Sequence, residues 1–268
     1  MRAIGWIELG QMDELGRLDT PVHRLDARAK ILATVGFMVA VMSLPRHEIS
    51  ALTPFFLFPF GLIAVGRIPV MPLLRKLLMA LPFALVIALF NPFLDREPMT
   101  TLGPYVVTGG WLSFTSILLR FVLTVGAALT LIACTGLYPL AHGLERLGVP
   151  RIFVVQLLFL YRYLFVIADA GTSMMRSVAM RSSGRPVLRL GQYGSLVGHL
   201  LLRSMARADR VYRSMVARGF DGEVRLLRDQ TFGGREWLFL LACLGFFAVA
   251  RVWNLAQVLA WTSGRIGP

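Results

Sequence analysis

Six apolar runs, at residues 31–44, 49–65, 77–94, 114–137, 152–168 and 237–261, constrain this chain more than any other feature. Crossing a bilayer takes about 20 predominantly apolar residues, so the first run is short and the others are adequate. Lys30 and Arg46 flank the first run and can extend it by snorkelling to the interface. With 56% of 268 residues hydrophobic and 16% charged, apolar mass exceeds what a soluble core of this length uses. The chain reads as an all-α integral membrane protein surrounded by membrane lipid.

Charge decides how the runs are threaded. The net charge of +13 comes from 26 arginines and two lysines, Lys30 and Lys76, against 15 acidic residues. In a soluble chain this excess would suggest nucleic acid, but the cytoplasmic bias of basic loops accounts for it here, and no nucleic-acid partner is expected. Placing Arg17, Arg24, Arg28 and Lys30 in the cytoplasm puts Arg46 outside and Arg67, Arg75 and Lys76 inside. The loop at 95–112, whose one basic residue is Arg96, then falls outside, and Arg146 and Arg151 return to the inside.

If 152–168 also crossed, the twelve arginines of 176–235 would lie on the outer face, against the positive-inside rule. Arg162 sits at the centre of that run, where insertion of an arginine costs at least about 2.5–3.5 kcal/mol. The expected plan is about five transmembrane helices plus a cytoplasmic block of long helices. Residues 1–150 hold the N-terminal segment and helices one to four, 151–235 the cytoplasmic or interfacial block, and 236–268 the last crossing. The expected location is the bacterial inner (plasma) membrane, with the N-terminus cytoplasmic.

Several smaller features follow from the same reading. Glu8, Asp13, Glu14 and Asp19 do not suit the basic leader of a cleaved signal. Arg120 and Arg251 interrupt apolar runs and read as arginines near helix ends or facing protein. Prolines 54, 59, 69, 72, 82 and 92 bend or punctuate the first three crossings. Cys134 and Cys243 lie in apolar runs without metal-ligand spacing and read as small buried hydrophobes.

The basic block carries the most informative pattern. Residues 195–218 contain no proline and make a helix of about 36 Å. At 100° per residue Val197, Leu201, Met205, Ala208, Tyr212 and Met215 form one stripe, with Arg203, Arg207, Arg210 and Arg213 roughly opposite. Gly219 suits the left-handed position that ends a helix and leaves Arg218 in its last turn. Upstream, "SMMRSVAMRSSGRP" at 173–186 has an apolar edge and stops just after Arg181. Two helices ending in a projecting arginine suit a protein groove, where a guanidinium pairs bidentately with carboxylates.

Catalytic signatures are missing from the sequence. Neither lysine sits in GxxxxGK[ST], so the chain has no nucleotide-binding P-loop. His23, His47, His142 and His199 are scattered over separate segments and do not resemble a metal site. A membrane enzyme would need a clustered polar site, and a self-contained secondary carrier would need midplane polar or broken-helix sites, for which Asn91-Pro92 and Arg120 are the only hints.

Three stretches carry a family resemblance. "HRLDARAKIL" at 23–32 resembles the N-terminal L-D-P-R-x-K signature of the transmembrane T component of energy-coupling factor transporters, with Ala27 where proline is usual. "LERLGVPR" at 144–151 looks like that family's L-x-x-L-G-x-P turn, and "YRYLFVIADA" resembles its R-F-x-P-x-x-x-x-E helix. "LLLRSMARADRVYRSMVARGFDGE" at 200–223 is closest to the cobalt-type CbiQ family, with nickel-type relatives as the alternative.

The resemblance implies a non-catalytic coupling subunit of an ATP-driven importer. Its partners would be two ABC-type ATPase subunits, a substrate-binding membrane subunit and a small accessory membrane subunit. This chain would bind no cofactor itself, ATP being held by the ATPases. The family's second X-Arg-Gly motif maps onto Ala217, Arg218 and Gly219, and the first onto Met180, Arg181 and Ser182. An alternative alignment places the first on Ser182-Ser183-Gly184, which lacks the arginine.

Overall fold

The computed structural model describes residues 20–45, 50–94, 98–102, 105–181, 190–222 and 233–252. The described elements are α1 (Ala27–Met42), a 3-10 turn (Ser50–Phe56) running into α2 (Leu57–Gly66), α3 (Val70–Leu89), the short α4 (Asn91–Leu94), strands β1 (Pro98–Leu102) and β2 (Tyr105–Thr108), α5 (Gly109–Thr135), α6 (Leu137–Arg146), α7 (Arg151–Arg181), α8 (Leu190–Ala217) and α9 (Gly234–Val252). The fold class is the all-α membrane protein that the hydropathy requires. One departure is the antiparallel β1–β2 hairpin in the stretch read as a loop, with Leu102 opposite Tyr105 and a register shift between Pro98 and Thr100. Its strands hold Thr100, Thr101, Val106, Val107 and Thr108, β-branched residues that favour a pleated backbone.

By length and composition, three described helices can cross a membrane: Val70–Leu89, Gly109–Thr135 and Arg151–Arg181. The apolar stretch Ser50–Gly66 is shorter, as is α1 with 16 residues. Helix α3 begins at Val70, seven residues before the apolar run, so Arg75 and Lys76 lie inside the helix rather than in a loop. Pro69 occupies its N-cap and Pro72 its first turn, where a missing N–H breaks no helical hydrogen bond.

The described residues form two compact units, one of residues 20–143 and 233–252, the other of residues 144–222. The first is a bundle around Phe37, which is fully buried on α1. Its ring lies 4.8 Å from that of Phe58, 5.5 Å from Phe247 and 6.0 Å from Phe55, joining α1, α2, α9 and the 3-10 turn. The helices also approach closely there: a Cβ on Gly36 would sit 2.8 Å from Cδ2 at the end of the Leu244 side chain. A second cluster joins Val22, Ile68, Leu73, Ala133 and Cys134.

Polar contacts at the two ends of the bundle give the helices their relative directions. Asp26 caps α1 by accepting from the Arg28 backbone N–H at 2.8 Å, and its carboxylate lies 3.2 Å from the Arg28 guanidinium. One turn on, the buried Lys30 ammonium donates to the Cys134 carbonyl at 3.1 Å, in the last turn of α5. A cation is favoured at that carbonyl end of a helix. At the far end Arg120 of α5 donates to the carbonyls of Leu44 and Pro45, at 3.0 and 2.7 Å. Arg251 of α9 donates to the Ser43 carbonyl at 2.9 Å and the Ser43 hydroxyl at 3.3 Å. Both arginines therefore face protein and close the C-terminal end of α1. Helix α5 runs antiparallel to α1, and α9 runs parallel to it.

Candidate functional site

The second unit begins at a turn. Helix α6 ends with Gly148 at φ +105°, and the N–H groups of Gly148 and Val149 donate back to the carbonyls of Glu145 and Leu144 at 3.0 and 3.1 Å. This paired pattern is the Schellman ending, which consumes the last free carbonyls of a helix. Pro150 follows and α7 starts at Arg151, whose guanidinium pairs with Glu145 across the turn at 3.6 Å. "LERLGVPR" is thus a stop, a turn and a start.

Helix α7 runs unbroken for 31 residues. The sequence treats 152–168 and 173–181 as separate pieces, whereas the structure joins them through Gly171, since an isolated glycine weakens a helix without ending it. Arg162 is exposed on its surface. Met180 and Arg181 are the exposed last residues of α7, and Ser182, with the alternative motif at 182–184, lies outside the described residues.

Helix α8 starts at Leu190, five residues before the proline-free stretch used above, and ends at Ala217. Gly219 has φ +80°; its N–H donates to the Val216 carbonyl at 3.0 Å and the Phe220 N–H to the Met215 carbonyl at 3.0 Å. This is the same Schellman ending. It leaves Arg218 exposed at the helix tip, and Phe220 turns back onto Phe159 of α7 with ring centroids 6.2 Å apart.

The two helices pack antiparallel. Phe159 meets Phe220 near one end, and a Cβ on Gly171 would lie 3.6 Å from Leu200 nearer the other. Arg181 lies 22 residues beyond Phe159, so the two arginine ends are separated by about 33 Å along the pair.

The face of α8 against α7 differs from the expected one. Leu200, Ser204, Arg207, Val211 and Met215 are half-buried, in a row offset by about a quarter turn from the apolar stripe. Within that stripe Val197, Leu201, Met205 and Tyr212 stay 58–65% exposed. The basic face also divides by environment. Arg213 is held by Asp209 one turn earlier, at 2.9 Å, while Arg203 and Arg210 are exposed. Arg207 turns into a groove of about 840 Å³ between α7 and α8, lined by Phe159, Tyr163, Tyr212 and Phe220 among others. Among the described residues no group of three or more His, Cys, Asp or Glu side chains is placed to hold a metal.

Comparison with known proteins fits this geometry. The family profile for CbiQ, described as cobalt transport protein, matches residues 19–227. The chain belongs to the CbiQ family. The transmembrane protein EcfT of an energy-coupling factor transporter from Heliobacterium modesticaldum is 28% identical over 260 residues, covering 89% of this chain and 95% of that protein. EcfT of Leuconostoc gelidum subsp. gasicomitatum is 24% identical over 259 residues, covering 87% and 93%. An uncharacterised protein of Methanocaldococcus jannaschii is 24% identical over 239 residues, covering 84% and 80%. This CbiQ-family chain is a transmembrane component of an energy-coupling factor transporter, and both basic helices lie within the matched span.

The CbiQ-family signature at 23–32 now has a structural account. Asp26 caps α1, Lys30 latches α5, and Ala27 abuts Gly143 of α6, where a Cβ would come within 2.9 Å of the Ala27 Cβ. Sequence reasoning missed the Lys30 latch, because nothing local links residues 104 positions apart. It also missed the inward turn of Arg207. The 4-3-4-4 spacing of Leu200, Ser204, Arg207, Val211 and Met215 is the signal that contained it.

Proposed function

We propose that this chain is the non-catalytic coupling subunit of an importer, taking two ABC-type ATPase subunits on its two arginine-bearing helix ends. The observation that carries the reading is their arrangement: Arg218 is exposed at the helix tip within a Schellman ending, and Arg181 ends the antiparallel partner about 33 Å away. A helix tip with a planar guanidinium suits an acidic groove, and two well-separated tips suit two copies of one partner. Closing of an ATPase pair on ATP would move the two ends together, and the pair would pass that motion on. Met180, Arg181 and Ser182 form the first contact in this reading, and Ala217, Arg218 and Gly219 the second.

The exposed stripe of Val197, Leu201, Met205 and Tyr212 supplies the surface for a substrate-binding membrane subunit, with a small accessory membrane subunit in the same assembly. ATP stays on the ATPases, and this chain holds no cofactor. The proposed cargo is cobalt ion, in keeping with the family's description; nickel is the alternative.

The helix directions in the bundle support a cytoplasmic place for residues 151–235. The chain leaves α5 at the end where α1 begins, and α9 starts again from that same end. An even number of crossings therefore separates them. Helix α7 qualifies as a crossing by length and composition, but it cannot be the single one. The four arginines of α8, Arg203, Arg207, Arg210 and Arg213, oppose a second. The proposed topology is a five-crossing protein of the bacterial inner membrane with a cytoplasmic N-terminus.

Arg218→Glu tests the reading. The variant is expected to insert normally yet lose copurification of the ATPase in mild detergent, or to hydrolyse ATP without uptake. Full retention of both complex and uptake would overturn it.

A further inference from the structure

The groove between α7 and α8 contains a charge that the coupling reading leaves unused. Arg207 is half-buried within it, beside Ser204, Val211 and Tyr163. Among the described residues the Arg207 side chain has no hydrogen bond and no ion pair. Its neighbours on the basic face differ: Arg213 is neutralised by Asp209, and Arg203 and Arg210 have access to water. A guanidinium with five donors, partly withdrawn from water into an aromatic and aliphatic lining, calls for an anion that enters with it.

We infer that the α7–α8 groove is a site for an anionic phospholipid, with the headgroup phosphate on Arg207 and acyl chain along Phe159, Tyr163 and Tyr212. The groove's lining is mainly apolar; of its charged members Arg151 is paired with Glu145 and Asp221 has interactions of its own, which leaves Arg207 as the cation without a protein partner among the described residues. A lipid offers both complements in a single molecule, and a soluble anion offers only one. The volume of about 840 Å³ lies within the range that holds a largely buried small amphiphile. Lipid is also the solvent a membrane chain always meets, and the cytoplasmic leaflet is the anionic one. The guanidinium fork matches a phosphate in two parallel hydrogen bonds. This site is separate from the helix tips at Arg181 and Arg218, so it stands or falls apart from the ATPase assignment.

The test uses the full-length chain in mild detergent, exposed to equal amounts of phosphatidylglycerol and phosphatidylcholine, with bound lipid read by native mass spectrometry. Wild type is expected to retain phosphatidylglycerol preferentially. Arg207→Gln is expected to lose that preference by roughly tenfold. Arg210→Gln removes the same charge from the exposed face and is expected to keep it. Ala208→Trp, which fills the groove from an exposed position, is expected to reduce retention of both lipids. Equal retention by Arg207→Gln and wild type, or an absence of preference in wild type, would overturn the site. The second result would point instead to a protein carboxylate as the partner of Arg207.

Discussion

At the scale of single residues, a few side chains do work out of proportion to their number. Lys30 spans from the first turn of α1 to the last turn of α5, and its loss leaves a buried carbonyl without its donor. Lys30→Met is expected to destabilise the bundle by about 1–3 kcal/mol, read as a lower unfolding temperature in detergent. Gly219 makes a different demand. A Cβ there would meet nothing within 4 Å, so the cost of a side chain comes from the backbone at φ +80° alone. Gly219→Ala is therefore expected to cost about 1 kcal/mol, and Gly219→Asn less, because asparagine tolerates the left-handed region. Equal losses from both, measured as helix-end protection in hydrogen exchange, would mean that the glycine is held by a contact instead.

At the scale of elements, the bundle is organised by Phe37 and its three aromatic partners. Phe37→Ala is expected to cost about 3–5 kcal/mol, with the unfolding temperature of the chain as the measure. Much of this scale was legible in the sequence. Each of the six apolar runs holds a described helix near its expected position, and Gly219 ended α8 where a left-handed residue is favoured. Pairing faces were harder to read. Arg207 counts as polar in any hydropathy pattern, yet its aliphatic stem packs as well as a short hydrophobe would. The apolar stripe pointed to a face at Val197 and Leu201 that α7 does not cover. Hydropathy falls after residue 168 and so divides α7 in the sequence, whereas backbone continuity depends on local propensity and the absence of proline.

At the scale of the whole molecule, the contacts that orient the chain join distant segments. Lys30 to Cys134 and Arg251 to Ser43 link residues 104 and 208 positions apart, and neither pairing has a local signature. In the proposed topology they place the start of α9 at the end where the chain leaves α5, which calls for an even number of crossings between the two. A cysteine in place of Gly191, exposed on α8, should accordingly be labelled by an impermeant thiol reagent only from the cytoplasmic side. Labelling from the outer side would overturn the five-crossing topology and remove the coupling helices from reach of any ATPase.

In the proposed function each of the two arginine ends holds one ATPase subunit. This is tested most directly by counting ATPase copies bound per chain in the purified complex, by native mass spectrometry, for wild type, Arg181→Glu, Arg218→Glu and the double variant. Two copies are expected for wild type, one for each single variant and none for the double. Two copies retained by the double variant would contradict this assignment.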